Sequence, residues 1–123
     1  MPKKQSNSDL LITTIISSIE DVKGKEITIL DLREIENTVC NYFIICEGTS
    51  NTQVNAIVNS VQRKVSKSIK DNPWHIEGND NAEWVLMDYV DVVVHVFQKH
   101  IRDYYDIEGL WGDAVTTTIE TSY

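Results

Sequence analysis

WVLMDYVDVVVHVF, residues 84–97, is apolar, aromatic or β-branched at nearly every position, yet Asp88 and Asp91 stand in its middle. One strand of that length would far exceed the usual ~5–6 residues. Two positions three apart in a strand point to opposite faces. A sheet covered on either face would therefore bury a lone carboxylate, which is costly. A hairpin removes the conflict. WVLM is one strand, DYVD the turn and VVVHVF the returning strand, and aspartate suits a turn because its side chain accepts from nearby backbone amides. This reading leaves Tyr89 exposed in the turn and Trp84 at a strand start beside the polar GNDNAE loop. Both fit a core poorly and are candidate interface anchors.

Working outward, YFIIC (Tyr42 to Cys46) reads as a strand covered on both faces, and EITILDL (Glu26 to Leu32) as a strand by β-branched content. Residues 1–7 are polar and expected to be disordered. Ser8 or Asp9 can then cap a helix whose stripe is Leu11, Ile12, Ile15, Ile16, Ile19 and Val22, with Gly24 as its stop. Ser50 and Gln53 have capping-box spacing, and Val54, Ile57, Val58, Val61, Val65 and Ile69 mark the buried stripe of a second helix ended by Asn72-Pro73. WHIEG (Trp74 to Gly78) is a further short strand. Ile101, Tyr104, Tyr105 and Ile107 fall on a short closing helix. The tail after Ala114 has no core periodicity and is expected to be flexible. The fold class is α/β: a single mixed β-sheet with packed helices, one domain over 8–114 with a flexible tail over 115–123.

Composition narrows the function classes. The chain has 123 residues, one domain on size priors, with a formal net charge of −8. An acidic surface repels phosphate backbones, so direct binding to DNA is disfavoured and a basic protein is the natural partner. No segment approaches the roughly 18 consecutive apolar residues of a membrane span, and the N-terminus does not read as a signal peptide. Cys40 and Cys46 form no disulfide framework. A cytoplasmic, reduced protein is expected.

EGTSN (Glu47 to Asn51) is a strand-to-helix turn of the kind that can bind phosphate. A nucleotidyltransferase would need paired carboxylates soon after it to hold magnesium, yet residues 48–70 contain no Asp or Glu. His75, His95, His100 and the two cysteines match no zinc spacing, and His95 shares its strand phase with Val93 and Phe97, as a packed histidine would. No metal, cofactor or catalytic residue is expected.

Three ordered blocks carry a resemblance. NYFIICEGTSNTQVNAI is similar to the pattern D-x-[FM]-[VI]-I-C-x-G-T-S-x-x-x-V-x-[AS]-I. HIEG followed by AEWVLMDYVDVVVHVF is similar to a block containing W-[IV]-[LV]-[IVLM]-D-[YL]-G-D-V-[VI]-V-H-V, and RDYYDIEGLWGDA to R-x-[FYL]-Y-x-L-E-x-L-W. They resemble the ribosomal silencing factor family, RsfS, also called Iojap. The resemblance implies a nucleotidyltransferase-like fold without catalytic residues. It also implies a protein that binds the large ribosomal subunit through ribosomal protein fourteen, blocks joining of the small subunit and represses translation when nutrients are scarce. Family members are dimeric when free, so a homodimer is expected. By position, the docking segment carries over to Trp84, Asp88 and Tyr89, with Val85, Met87 and Asp91 beside them. A divergent nucleotidyltransferase is the alternative. Two positions depart from the family: Val90 stands at a glycine, which predicts a different turn geometry because valine tolerates positive φ poorly, and Glu47 follows the cysteine where small or polar residues are usual.

Overall fold

The computed structural model describes residues 2–38 and 40–123. Helix α1 (Pro2–Asp21) precedes strands β1 (Lys25–Asp31) and β2 (Tyr42–Gly48). Helix α2 (Asn51–Ile69) leads to β3 (His75–Glu77), β4 (Trp84–Asp88) and β5 (Val92–Gln98), and the chain closes with α3 (Lys99–Tyr105), α4 (Ile107–Leu110) and β6 (Val115–Thr118). The six strands form one mixed sheet in the order β3-β4-β5-β2-β1-β6. Only β2 and β5 run parallel; the other pairs are antiparallel. This is an α+β fold with helices on both faces.

The opening hairpin is β4-turn-β5, with Trp84 opposite Phe97 and Asp88 opposite Val93. Its alternation sorts the side chains. Val85 and Met87 of β4, Val92, Val94 and Val96 of β5, and Ile44 and Cys46 of β2 face one side and pack under the stripes of α1 and α2. Trp84 and Leu86, Val93 and Phe97, and Phe43 and Ile45 face the other, where α3, α4 and Ile107 lie. Burying both faces of β2 and β5 explains their unbroken apolar runs.

The seam between the two long helices is closely fitted. Ser60 Oγ donates to the Ser18 carbonyl at 2.8 Å, and Lys64 Nζ reaches Ser17 Oγ and Asp21. Thr13, Thr14 and Ser18 return their hydroxyls to carbonyls four residues back, which satisfies side chains of low helix propensity inside a helix. At the end of α1, Gly24 N–H donates to Ile19 O and Lys23 N–H to Glu20 O, the two bonds of a Schellman motif. Lys23, at φ +61°, occupies the left-handed position. Gly24 is required one residue later because a Cβ there would run into the Ile19 side chain.

Two boundaries differ from the sequence reading. Helix α1 begins at Pro2, ahead of the Ser8 or Asp9 start and inside the leader expected to be disordered. Proline is well suited to a first helical turn, where its missing N–H costs nothing. Met1 lies outside the described residues. The tail expected to be flexible supplies β6, which pairs with β1 from Thr28↔Thr118 to Asp31↔Val115. Ile119 N–H bonds Ile27 O, and the Tyr123 hydroxyl donates to Gly24 O. Every side chain of β6 is exposed, so it carries no burial periodicity to read.

Candidate protein-docking surface

The six residues singled out at the hairpin do not share a face. Val85 and Met87 are fully buried beneath the helices, and Tyr89 is 5% exposed in the same core. The turn tyrosine is therefore a core residue. It follows Met87 in the alternation and continues β4's inward face past the strand end. In this conformation Val85, Met87 and Tyr89 offer no surface to a partner. Trp84, Asp88 and Asp91 are half-buried and remain available.

What surrounds Trp84 is an aromatic sheet face that the short α3 and α4 cover only in part. Trp84 stacks on Phe97 at 4.9 Å and meets Tyr105 at 5.0 Å, while Phe43 lies edge-on to Trp111 at 5.8 Å. Leu86, Phe43 and Trp111 are half-buried, and Tyr105 and Leu110 are exposed. Tyr104, placed on the helix by its spacing, is 80% exposed. The closing helix breaks at Asp106, which takes a left-handed conformation and caps α4 with its carboxylate, so Tyr104 and Tyr105 leave the core stripe that Ile101 and Ile107 keep.

His95 lies beneath this face. Trp84 Nε1–H donates to His95 Nδ1 at 3.1 Å, so the proton of the neutral ring sits on Nε2. Burial pushes the His95 pKa down to about 4. Protonation would also turn Nδ1 into a donor facing another donor. A histidine depressed in the folded state favours folding above its unfolded pKa of about 6.5, and that contribution is lost as pH falls toward the folded value. Urea melts are therefore expected to show a loss of roughly 2 kcal/mol between pH 7 and pH 5. His95→Gln should flatten the slope in that window. A parent protein equally stable at both values would contradict it.

The turn departs from expectation. Val90 keeps the positive φ of the family glycine, at +78°. Tyr89 O accepts from Asp91 N–H at 3.0 Å, Tyr89 N–H bonds Val92 O at 2.8 Å, and Asp88 Oδ1 accepts from Val90 N–H at 2.8 Å. A bond across two residues around a positive central φ is the rarer, strained γ-turn. The carboxylate and the two strands over-determine the turn, so valine accepts the strain. Val90→Gly is expected to stabilise by about 1 kcal/mol, strain relief exceeding the added chain entropy of glycine. A lower melting temperature in that variant would show that the turn is not strained.

The EGTSN turn is occupied by its own side chains. Ser50 Oγ accepts from Gln53 N–H at 3.1 Å, Thr49 N–H donates to Gln53 Oε1 at 2.7 Å, and the same Gln53 amide donates to the Lys23 carbonyl at 3.1 Å. These are donors that a phosphate would need. Glu47 is 8% exposed and meets Arg102 Nη1 at 3.0 Å. Arg102 also pairs with Glu108 through Nε and Nη2. Among the described residues no group of three or more His, Cys, Asp or Glu could hold a metal ion. Cys46 is fully buried, its pKa pushed up to about 12 by that burial. No helix among the described residues is long and apolar enough to cross a membrane.

Comparison with known proteins agrees with this architecture. Residues 4–122 match the family described as "Ribosomal silencing factor during starvation". A ribosomal silencing factor RsfS of Halalkalibacterium halodurans is 39% identical over 115 residues, covering 94% of this chain and 96% of that protein. One from Chromobacterium violaceum is 46% identical over 97 residues, covering 79% of this chain and 78% of its own. A crystal structure of a Chromobacterium violaceum protein superposes with a TM-score of 0.79 at 43% identity, with 85% of each chain covered. The three sequence blocks, the mixed sheet and these relatives agree, and the chain belongs to the ribosomal silencing factor family.

Proposed function

We propose that this protein binds the large ribosomal subunit through ribosomal protein fourteen, blocks joining of the small subunit by steric occlusion and so represses translation under nutrient limitation. The observation that carries the reading is the partly covered aromatic face: Trp84, Leu86 and Phe43 of the sheet with Trp111 at the end of α4, all half-buried, beside Asp88 and Asp91, which have no ion-pair partner among the described residues. Aromatic anchors rimmed by charge suit a protein interface, and carboxylates on a chain of net charge −8 suit a basic partner. The action is binding, and no bond is made or broken. Its place is the cytoplasm, in cells entering stationary phase. When free, the protein pairs with a second copy as a homodimer.

The test is cosedimentation with isolated large and small subunits, followed by subunit joining with and without the protein. The reading requires pelleting with large subunits alone and a reduced yield of joined ribosomes. Pelleting with neither subunit would end it. Affinity should fall between low and moderate salt, because exposed charge pairs are screened over roughly 10 Å at 0.1 M. An affinity indifferent to salt would mean that the carboxylates take no part.

A further inference from the structure

A cleft of about 340 Å³ opens at the hairpin tip, lined by Cys40, Trp74, Asp88, Val90 and Val93. Two of its walls are unusual. Trp74 is 80% exposed, and Val90 is 56% exposed at φ +78°. A glycine would serve that turn without strain, and so exposed a valine gains little from burial, so the fold does not account for its presence. Strain of this kind points toward a function for the side chain. The cleft is also fixed in place: Trp74 N–H donates to Asp88 O at 2.7 Å, and Asp88 Oδ1 is held by Val90 N–H. That leaves Oδ2 of Asp88 and the Asp91 carboxylate uncommitted among the described residues. Asp88 lines the cleft, and Asp91 follows Val90 at its edge, its carbonyl accepting at 2.8 Å from the N–H of Asn41, the neighbour of Cys40.

We propose that this cleft is the receptor for one arginine side chain of the protein partner, with Trp74 and Val90 sheathing its aliphatic stem and Asp88 and Asp91 neutralising its head group. A flat guanidinium stacks on an indole face and bonds carboxylates through paired N–H groups. A long cationic side chain also buries its methylenes against apolar walls while its head seeks charge. The inference rests on the docking reading only for the identity of the protein that carries the arginine. Trp74 lies outside the hairpin, on the chain entering edge strand β3, so the site extends the docking surface beyond the aromatic face around Trp84.

Two measurements on the full chain test it. In the first, N-acetyl-arginine amide is titrated while the Trp74 indole N–H is followed by NMR, with the uncharged citrulline amide as control. A saturable shift with arginine, absent with citrulline and lost in a double Asp88→Asn, Asp91→Asn variant, is expected. In the second, Trp74→Ala and Val90→Gly are pelleted with large subunits. Each should bind about tenfold more weakly than the parent, Trp74→Ala with an unchanged melting temperature and Val90→Gly with a raised one. If the parent pellets and both variants pellet equally well, the receptor is overturned while the docking reading stands. If the parent does not pellet, the docking reading falls and the titration alone decides the cleft, where no shift, or equal shifts with both amides, overturns it.

Discussion

Arg102→Ala is expected to cost about 3–5 kcal/mol of stability, because it leaves the buried Glu47 carboxylate, and the half-buried Glu108 beside it, uncompensated. For a domain of this length that is a fall of roughly 10–20 °C in melting temperature. Every donor of the guanidinium is used. Nε and Nη2 hold Glu108 at 2.9 and 2.8 Å, Nη1 reaches Glu26 O at 2.8 Å and Glu47 at 3.0 Å, and Nη2 also meets Thr28 Oγ1 at 3.3 Å. Burial works against the charge, yet the Glu108 and Glu47 carboxylates more than offset it, so the Arg102 pKa is raised. The side chain thus ties α3 and α4 to β1 and β2, and with them the aromatic face proposed for docking. Glu47→Gln keeps a hydrogen bond and should cost less, about 1–2 kcal/mol. The exposed pair Lys99–Asp103 is the contrast: Asp103→Ala should leave the melt unmoved. Chemical denaturation of the three variants separates these cases, and an Arg102→Ala protein within 1 kcal/mol of the parent would make the network dispensable.

This network also shows where sequence reading stops. Glu47 stood out as a departure from the family pattern, but its partner lies 55 positions later in the chain, and nothing local announces such a pairing. The hairpin was legible because one observation, two aspartates three apart in an apolar run, admitted few solutions. The strand edges and the α2 cap followed from residue types whose conformational preferences are strong. The division of the hairpin into a covered and an open face was not legible. Alternation separates Trp84 and Leu86 from Val85, Met87 and Tyr89, but both sets are apolar enough for a core. The length of the covering helices decides which set is hidden: α1 and α2 roof one face, and α3 and α4 are too short to roof the other. Strand β6 escaped notice for the opposite reason, because an edge strand with no buried side chain leaves only backbone hydrogen bonds as evidence.

That division turns Trp84 and Tyr89, which the hairpin reading grouped together, into opposite experiments. Trp84→Ala should remain folded, losing about 1–3 kcal/mol from the half-buried stack on Phe97 and from His95 Nδ1 left without its donor. Large-subunit binding should weaken by about 2 kcal/mol or more, roughly thirtyfold, as for an aromatic anchor inside an interface. Trp84→Phe keeps the ring but not the N–H, and should recover most of the binding and part of the stability. Tyr89→Ala should do the reverse: a loss of about 3–5 kcal/mol from a cavity under α1 and α2, with normal affinity in whatever fraction stays folded. Tyr89→Phe removes a buried hydroxyl that has no partner among the described residues, so it should be neutral or slightly stabilising. Thermal melts run beside cosedimentation for the four variants decide the matter. If Trp84→Ala folds, binds large subunits and blocks joining as well as the parent, the open aromatic face is not where this protein docks.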